Sequence, residues 1–219
     1  MRILALSRES GSLPSTGYVP ASDMRDLLQT PISTMNCWHE RNDALENNTD
    51  FLQLIPVAYL MDSSGRIAYY QRRANHTEER LGGLHTIWFG GHVDETDRKE
   101  QRRIFMVDIM KDALYRELQE EATLTKSEIT SMSFLSYFQL ADKPVSKVHA
   151  AFAFRVLITT KAMDRLASFS KHGIPDDIEP AYIGVLSSMD SLLDMECNWE
   201  PWAAYYLDRL RGTENEKAT

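Results

Sequence analysis

Cysteine, surplus positive charge and long apolar runs are all scarce in this chain of 219 residues. Cys37 and Cys197 are the only cysteines and stand in no metal-ligand spacing. That argues against a cysteine-type zinc site and makes two thiols in a reducing compartment the expectation over a disulfide between them. Lysine and arginine number 24 against 32 aspartates and glutamates, a formal net charge of −8. A general nucleic-acid or anionic-membrane binder needs a basic face, so neither partner is expected. A small phosphorylated ligand stays admissible, because a few local arginines or a bound cation reverse the field. No stretch approaches the roughly 20 apolar residues of a membrane span. The opening "MRILALSRES" carries too short an apolar run for a signal peptide, bracketed by Arg2 and Arg8, so the expected location is cytoplasmic. Glycine occurs as the doublets Gly82-Gly83 and Gly90-Gly91, without the G-x-G-x-x-G spacing of a dinucleotide-binding loop.

What is present suits a globular chain, with 43% hydrophobic and 26% charged residues and length enough to bury a core. Residues 1–50 carry turn formers around one short helix candidate, "ASDMRDLLQ", and are expected as an extension packed on the main domain at 51–212. "LQLIPVAYLM", the turn "DSSG" and "RIAYYQRR" predict a β-hairpin. "TIWF" predicts a short strand into Gly90-Gly91. From Ile104 to Ala122 there is neither glycine nor proline, and Val107, Met110, Ala113, Leu114 and Leu118 follow the helical period. Two β-rich runs follow, "SFLSYFQL" and "VHAAFAFRVLIT", then a loop "KHGIPDDIEP", a strand "AYIGVL" and two closing helices. The tail at 213–219 is expected to be disordered. Strands, one long helix, strands and terminal helices imply an α/β fold, a mixed β-sheet with helices on its faces.

The stretch "RELQEEATL" at 116–124 holds the chemistry. Glu117, Glu120 and Glu121 lie outside the apolar stripe, the last two at spacings of three and four from the first, where like charges cost a helix roughly 0.2–0.5 kcal/mol per pair. They are either a solvated face or a seat for a cation. Their company favours the cation. A glycine doublet at a strand end lets backbone carbonyls come close to an ion, and Mg²⁺ takes oxygen ligands shared between carboxylates and substrate phosphates.

"GGHVD" at 90–94 and "RELQEEATL" resemble the two ends of the Nudix box: G, five residues, E, seven residues, then R-E-U-x-E-E-x-G-U with U aliphatic. Arg116, Glu117, Leu118, Glu120, Glu121 and Leu124 match, and Thr123 stands where the family has glycine. The likeness covers roughly residues 52 to 195. It is similar above all to a bacterial and phage subgroup with a "GGH" opening and a long N-terminal extension. In the pattern the arginine follows the glycine by fourteen positions. Here Arg116 lies 25 beyond Gly91, about eleven more, and eight residues before Arg116 stands Asp108 in place of the first glutamate. The insertion is "ETDRKEQRRIF".

The resemblance implies a Nudix-type α/β/α sandwich that hydrolyses a phosphoanhydride or phosphate bond in a nucleoside diphosphate linked to another group. It implies Mg²⁺, with Mn²⁺ as a substitute, held by Glu117, Glu120 and Glu121 with the Gly91 carbonyl. One of these glutamates relays a proton, and Arg116 orients a glutamate. Arg72 and Arg73 are candidates for gripping a phosphate, and His92 for touching the metal's water shell or for a structural hydrogen bond. Among the loop carboxylates Asp176, Asp177 and Glu179, Glu179 is the candidate for a further metal ligand. Trp88 and Trp38 are candidates for stacking on a base or for the core. The first fifty residues are candidates for a cap over the site or a homodimer interface. Two other readings stand beside the hydrolase. One is a Nudix-type sensor that binds without turnover. The other is a metal-dependent isomerase, which needs an acid–base pair not evident here.

Overall fold

The computed structural model describes all residues except 12, 15, 36, 75–80, 99–104, 141–143, 176, 177, 179, 218 and 219. The first half of the chain forms strands β1 (Arg2–Ser7), β2 (Gly17–Pro20), β3 (Trp38–Glu40), β4 (Phe51–Asp62), β5 (Ile67–Arg72), β6 (His85–Thr86) and β7 (Phe89–Gly90). Two single-turn helices lie among them, α1 (Arg25–Leu28) and α2 (Asp43–Glu46). Then come the long helix α3 (Met106–Ala122), β8 (Ile129–Gln139), α4 (Pro144–Val148), β9 (His149–Ile158), α5 (Thr160–His172), β10 (Pro180–Leu186), α6 (Met189–Leu193) and α7 (Pro201–Lys217). The architecture is α/β, a mixed sheet with several helices.

Two compact units interleave along the chain. The first comprises Met1–Ala58, Gly90–Leu118 and Met132–Arg155, and the second Tyr59–Phe89, Gln119–Ser131 and Val156–Thr219. β4, α3, β8 and β9 each run from one unit into the other.

In the first unit the hydrogen-bonded strand order is β4, β9, β8, β2. β1 pairs antiparallel with β4, Ala5 opposite Gln53, and with β3, Ile3 opposite His39. β2 pairs antiparallel with β8, Tyr18 opposite Phe138. The first fifty residues thus supply strands to the sheet as well as short helices. The core is aromatic and aliphatic: Phe134 lies across Phe152 and Phe154, and Tyr137 meets Phe152 edge-on. Met106, Ile109, Met110, Ala113, Leu114 and Leu118 are buried, the stripe the helical period predicts.

In the second unit β10 pairs antiparallel with β5, and β5 with the end of β4. The predicted hairpin turn forms as its residues dictate. Asp62 Oδ1 accepts from the backbone N–H of Ser64 and Arg66, both at 3.0 Å, and Gly65 takes a positive φ of 86°. Tyr206 of α7 packs on Trp88 and Tyr59. α5 was not foreseen from the sequence, although Thr159 caps it by accepting from Ala162 N–H, and Met163 and Leu166 are buried. It packs on β10 and β5. α7 runs to Lys217 instead of ending at 212, because a helix already nucleated propagates through residues such as Glu and Lys. No helix among the described residues is long and apolar enough to cross a membrane. Cys37 and Cys197 are both free, as expected, and burial pushes the Cys37 thiol up to about 11.

Two stability predictions arise here. Thr123, just past α3, has φ 54°, the one positive φ outside glycine among the described residues. A β-branched side chain resists that conformation, and the Thr123 hydroxyl is buried without a hydrogen-bond partner. Thr123→Gly is expected to stabilise by about 1 kcal/mol, the relief exceeding glycine's entropic penalty, and to raise Tm by about 2–4 °C. An unchanged or lower melting temperature would show that the turn is unstrained.

The second concerns Glu128, which accepts from Arg165 Nη1 and Nη2. Those bonds are the first cause that pulls its carboxyl down from 4.5 to about 2, against burial. A depressed folded-state value stabilises the fold fully above 4.5, and the gain disappears as pH falls toward 2. Glu128→Gln is expected to flatten the acid limb of Tm against pH in that window. The effect is on the order of 1–2 kcal/mol after allowance for solvent screening.

Candidate active site

Gly90 and Gly91 are required for different reasons. Gly90 has φ 142°, and a side chain there would collide with the Pro56 carbonyl of β4. At Gly91 a Cβ would sit 2.5 Å from Glu117 Oε1 and 2.8 Å from Oε2. The Gly91 backbone and the Glu117 carboxylate therefore come together in the space a side chain would fill.

Arg116 ties this corner down. It donates to Glu117 Oε1 at 2.7 Å through Nη1, and to the His92 carbonyl at 2.8 Å through Nη2. It also meets Asp97 with Nε at 2.9 Å and Nη2 at 3.0 Å. Burial works against the guanidinium's charge, but the bonds it donates to Asp97 and the fields of Glu117 and Asp97 outweigh it and raise the pKa. Asp97 lies in the insertion, on a short 3₁₀ turn at Glu95–Asp97 capped by Asp94, and its carboxylate also accepts from Asp94 N–H at 2.9 Å. β1 holds the preceding residues, with Leu4 N–H donating to the Val93 carbonyl at 3.0 Å. Part of the insertion therefore acts as a brace for Arg116. Sequence reasoning passed over Asp97, though Asp94-x-x-Asp97 is a readable capping pattern.

The three glutamates do not form one solvated face. Glu120 is exposed, Glu117 half-buried, and Glu121 only 3% exposed. Glu121 stands three residues after Leu118, so it continues the buried stripe that it was expected to lie outside. A buried carboxylate is costly without partners, and the Tyr70 hydroxyl at 3.4 Å is one of them. Asp108 is exposed in the first turn of α3.

The remaining candidates fall in different places. Arg72 forms a buried ion pair with Glu200 at 3.0 Å, and Thr86 donates to the other oxygen of Glu200 at 2.5 Å. Arg73 donates to the Ile178 carbonyl at 3.2 Å and forms no ion pair among the described residues. Trp88 is 1% exposed against Tyr59 and Tyr206, so it belongs to the core and presents no face for a base to stack on. Trp38 lies in β3, and its carbonyl accepts from Arg2. His92 Nε2 is 2.7 Å from Gln53 Oε1. Burial first, then the charges of Arg41, His149 and Arg116, push its pKa well below the ordinary value. Asp176, Asp177 and Glu179 lie outside the described residues.

No protein-family model matches the sequence, and neither does any curated protein. Solved structures do match. The crystal structure of Tm1382, a provisionally assigned Nudix hydrolase, aligns with TM-score 0.62 over 96% of this chain and 98% of that one, at 17% identity. DR0079 from Deinococcus radiodurans aligns with TM-score 0.50 over 83% and 96% of the two chains, at 14% identity. The chain has the Nudix fold. At these identities the likeness is one of architecture, so the chemistry has to be argued from the side chains.

The donors present on this Nudix fold suit a hard divalent cation. Glu117 reaches the Gly91 backbone, Glu120 and Glu121 follow at helical spacing, and all are oxygen donors, the kind Mg²⁺ requires.

Proposed function

We propose that the chain is a divalent-metal-dependent Nudix hydrolase that cuts a phosphoanhydride or phosphate bond in a nucleoside diphosphate linked to another moiety. The observation that carries this reading is the Glu117 carboxylate, fixed by Arg116 and pressed against a Gly91 backbone that leaves no room for a side chain. Glu117, Glu120, Glu121 and the Gly91 carbonyl would hold Mg²⁺ or Mn²⁺, with Glu179 a further candidate. A bound divalent cation neutralises phosphate oxygens and stabilises charge on the leaving oxygen.

The residues divide the remaining work. Glu120 is the exposed carboxylate of the three and so the one that meets solvent, and in this account it takes the proton. The water oxygen forms its bond to phosphorus, the bridging P–O bond breaks, and the water's proton passes to Glu120. Arg116 does not meet the substrate in this account. It fixes the rotamer of Glu117 and the backbone at His92. Arg73 supplies the cation for the diphosphate, since the charge of Arg72 is already balanced by Glu200.

A panel of nucleoside diphosphate derivatives with and without Mg²⁺, read as phosphate release through a coupling phosphatase, tests the reading. Metal-dependent turnover of at least one compound is expected. Thermal stabilisation by a compound that is never turned over would replace the hydrolase with a sensor.

A further inference from the structure

Besides the carboxylates of α3, the first unit holds a second set of donors. His92, His149 and Glu46 each present a ligand atom, and the three atoms lie within 4.8 Å of one another. They come from three separate segments: the loop after β7, the first residue of β9, and the last residue of α2. The imidazoles of His92 and His149 stand edge to face with centroids 5.5 Å apart. His149 Nε2 is 3.6 Å from Glu46 Oε2.

The surroundings hold these groups in place. Gln53 of β4 is fully buried, and its amide reaches two of them: Nε2 donates to Glu46 Oε2 at 3.1 Å, and Oε1 is 2.7 Å from His92 Nε2. Arg41 donates to the other Glu46 oxygen at 3.1 Å, which leaves Oε2 on the side of the histidines. Outer hydrogen bonds of this kind orient metal ligands. The Arg116 bond to the His92 carbonyl fixes the loop after β7 as well.

We propose that His92, His149 and Glu46 form a site for a divalent transition cation of the zinc class, distinct in its ligands from the magnesium-type site proposed on α3. Two imidazoles, which are borderline donors, with one carboxylate suit Zn²⁺, Fe²⁺ or Ni²⁺, whereas Mg²⁺ takes oxygen ligands. The bound ion cross-links α2, β9 and the loop that carries Gly91. Its role is to stiffen the chain at Gly91, the residue next to His92. The proposal does not depend on the hydrolase reading, and its test reads metal binding without activity.

The experiment is calorimetric titration of the chelator-stripped full chain with Zn²⁺ in excess Mg²⁺, with melting curves alongside. The wild type is expected to take one tightly bound Zn²⁺ and to melt higher with it. His149→Ala and Glu46→Gln are each expected to weaken that binding by more than about 10-fold, and Glu120→Gln to retain it. No Zn²⁺ binding by the wild type, binding that survives both substitutions, or binding lost in Glu120→Gln would overturn the site. If His149→Ala does not fold, X-ray absorption of the wild-type zinc complex decides. Two imidazole nitrogens in the coordination shell support the proposal, and an all-oxygen shell contradicts it.

Discussion

Glu120→Gln is expected to lower metal-dependent turnover by about 10²–10⁴-fold while leaving the fold unchanged. The side chain is exposed in the last turns of α3, so the amide fits without repacking. What changes is chemical: an amide neither accepts the water's proton nor offers an anionic ligand. Glu117→Gln would confound these effects with loss of the Arg116 ion pair, and Glu121→Gln with an altered buried contact to Tyr70. The comparison is made by steady-state kinetics with circular dichroism as the control. A loss smaller than about 10-fold, against the range for a catalytic acid–base group, would move the proton acceptor elsewhere on the helix.

Arg116→Ala carries the largest expected loss of stability. Arg116 joins Asp97, Glu117 and the His92 carbonyl, and the side chains of Asp97 and Glu117 are only 5% and 14% exposed. Removing one member of a buried pair leaves its partners' charge uncompensated, typically at 3–5 kcal/mol. Arg116 is itself about one-third exposed, so the expected cost is about 2–4 kcal/mol, or roughly 5–15 °C in Tm. Activity should fall as well, since Glu117 loses the contact that sets its rotamer. Arg116→Lys is expected to recover only part of both, because an ammonium cannot reach the three acceptors with the geometry of a guanidinium. A melting temperature within a degree or two of wild type for Arg116→Ala would remove Arg116 as the keystone of this corner.

Local signals in the chain revealed local features. The hairpin over β4 and β5 was legible because the turn carries its own hydrogen-bond acceptor in Asp62 and a glycine for the positive φ. α3 was legible from its apolar period, and the meeting of Gly91 with Glu117 had its signal in the glycine doublet and the arginine–glutamate pair. The deviation at Thr123 was also visible, and the left-handed backbone there is the conformation that glycine would have eased. α5 went unread because it follows β9 directly and shares no breaker with it, so its cap at Thr159 was absorbed into the strand. The burial of Glu121 has no signal in the sequence, because a charged residue three positions past Leu118 interrupts the apolar period. What could not be read are the pairings that depend on distant segments. Arg72 with Glu200, Asp97 with Arg116, and the meeting of Glu46, His92 and His149 have no spacing signature, since only the folded sheet brings them together.

The account turns on water attacking phosphorus at a metal-loaded α3. The measurement that tests it most directly is mass spectrometry of the products after the wild-type chain acts on the pooled nucleoside diphosphate derivatives in ¹⁸O-labelled water, with Mg²⁺ or with chelator. The account predicts the label in a phosphate group of one product with Mg²⁺ and no labelled product with chelator. Label appearing equally with chelator, or no label in any phosphate with Mg²⁺, would contradict it.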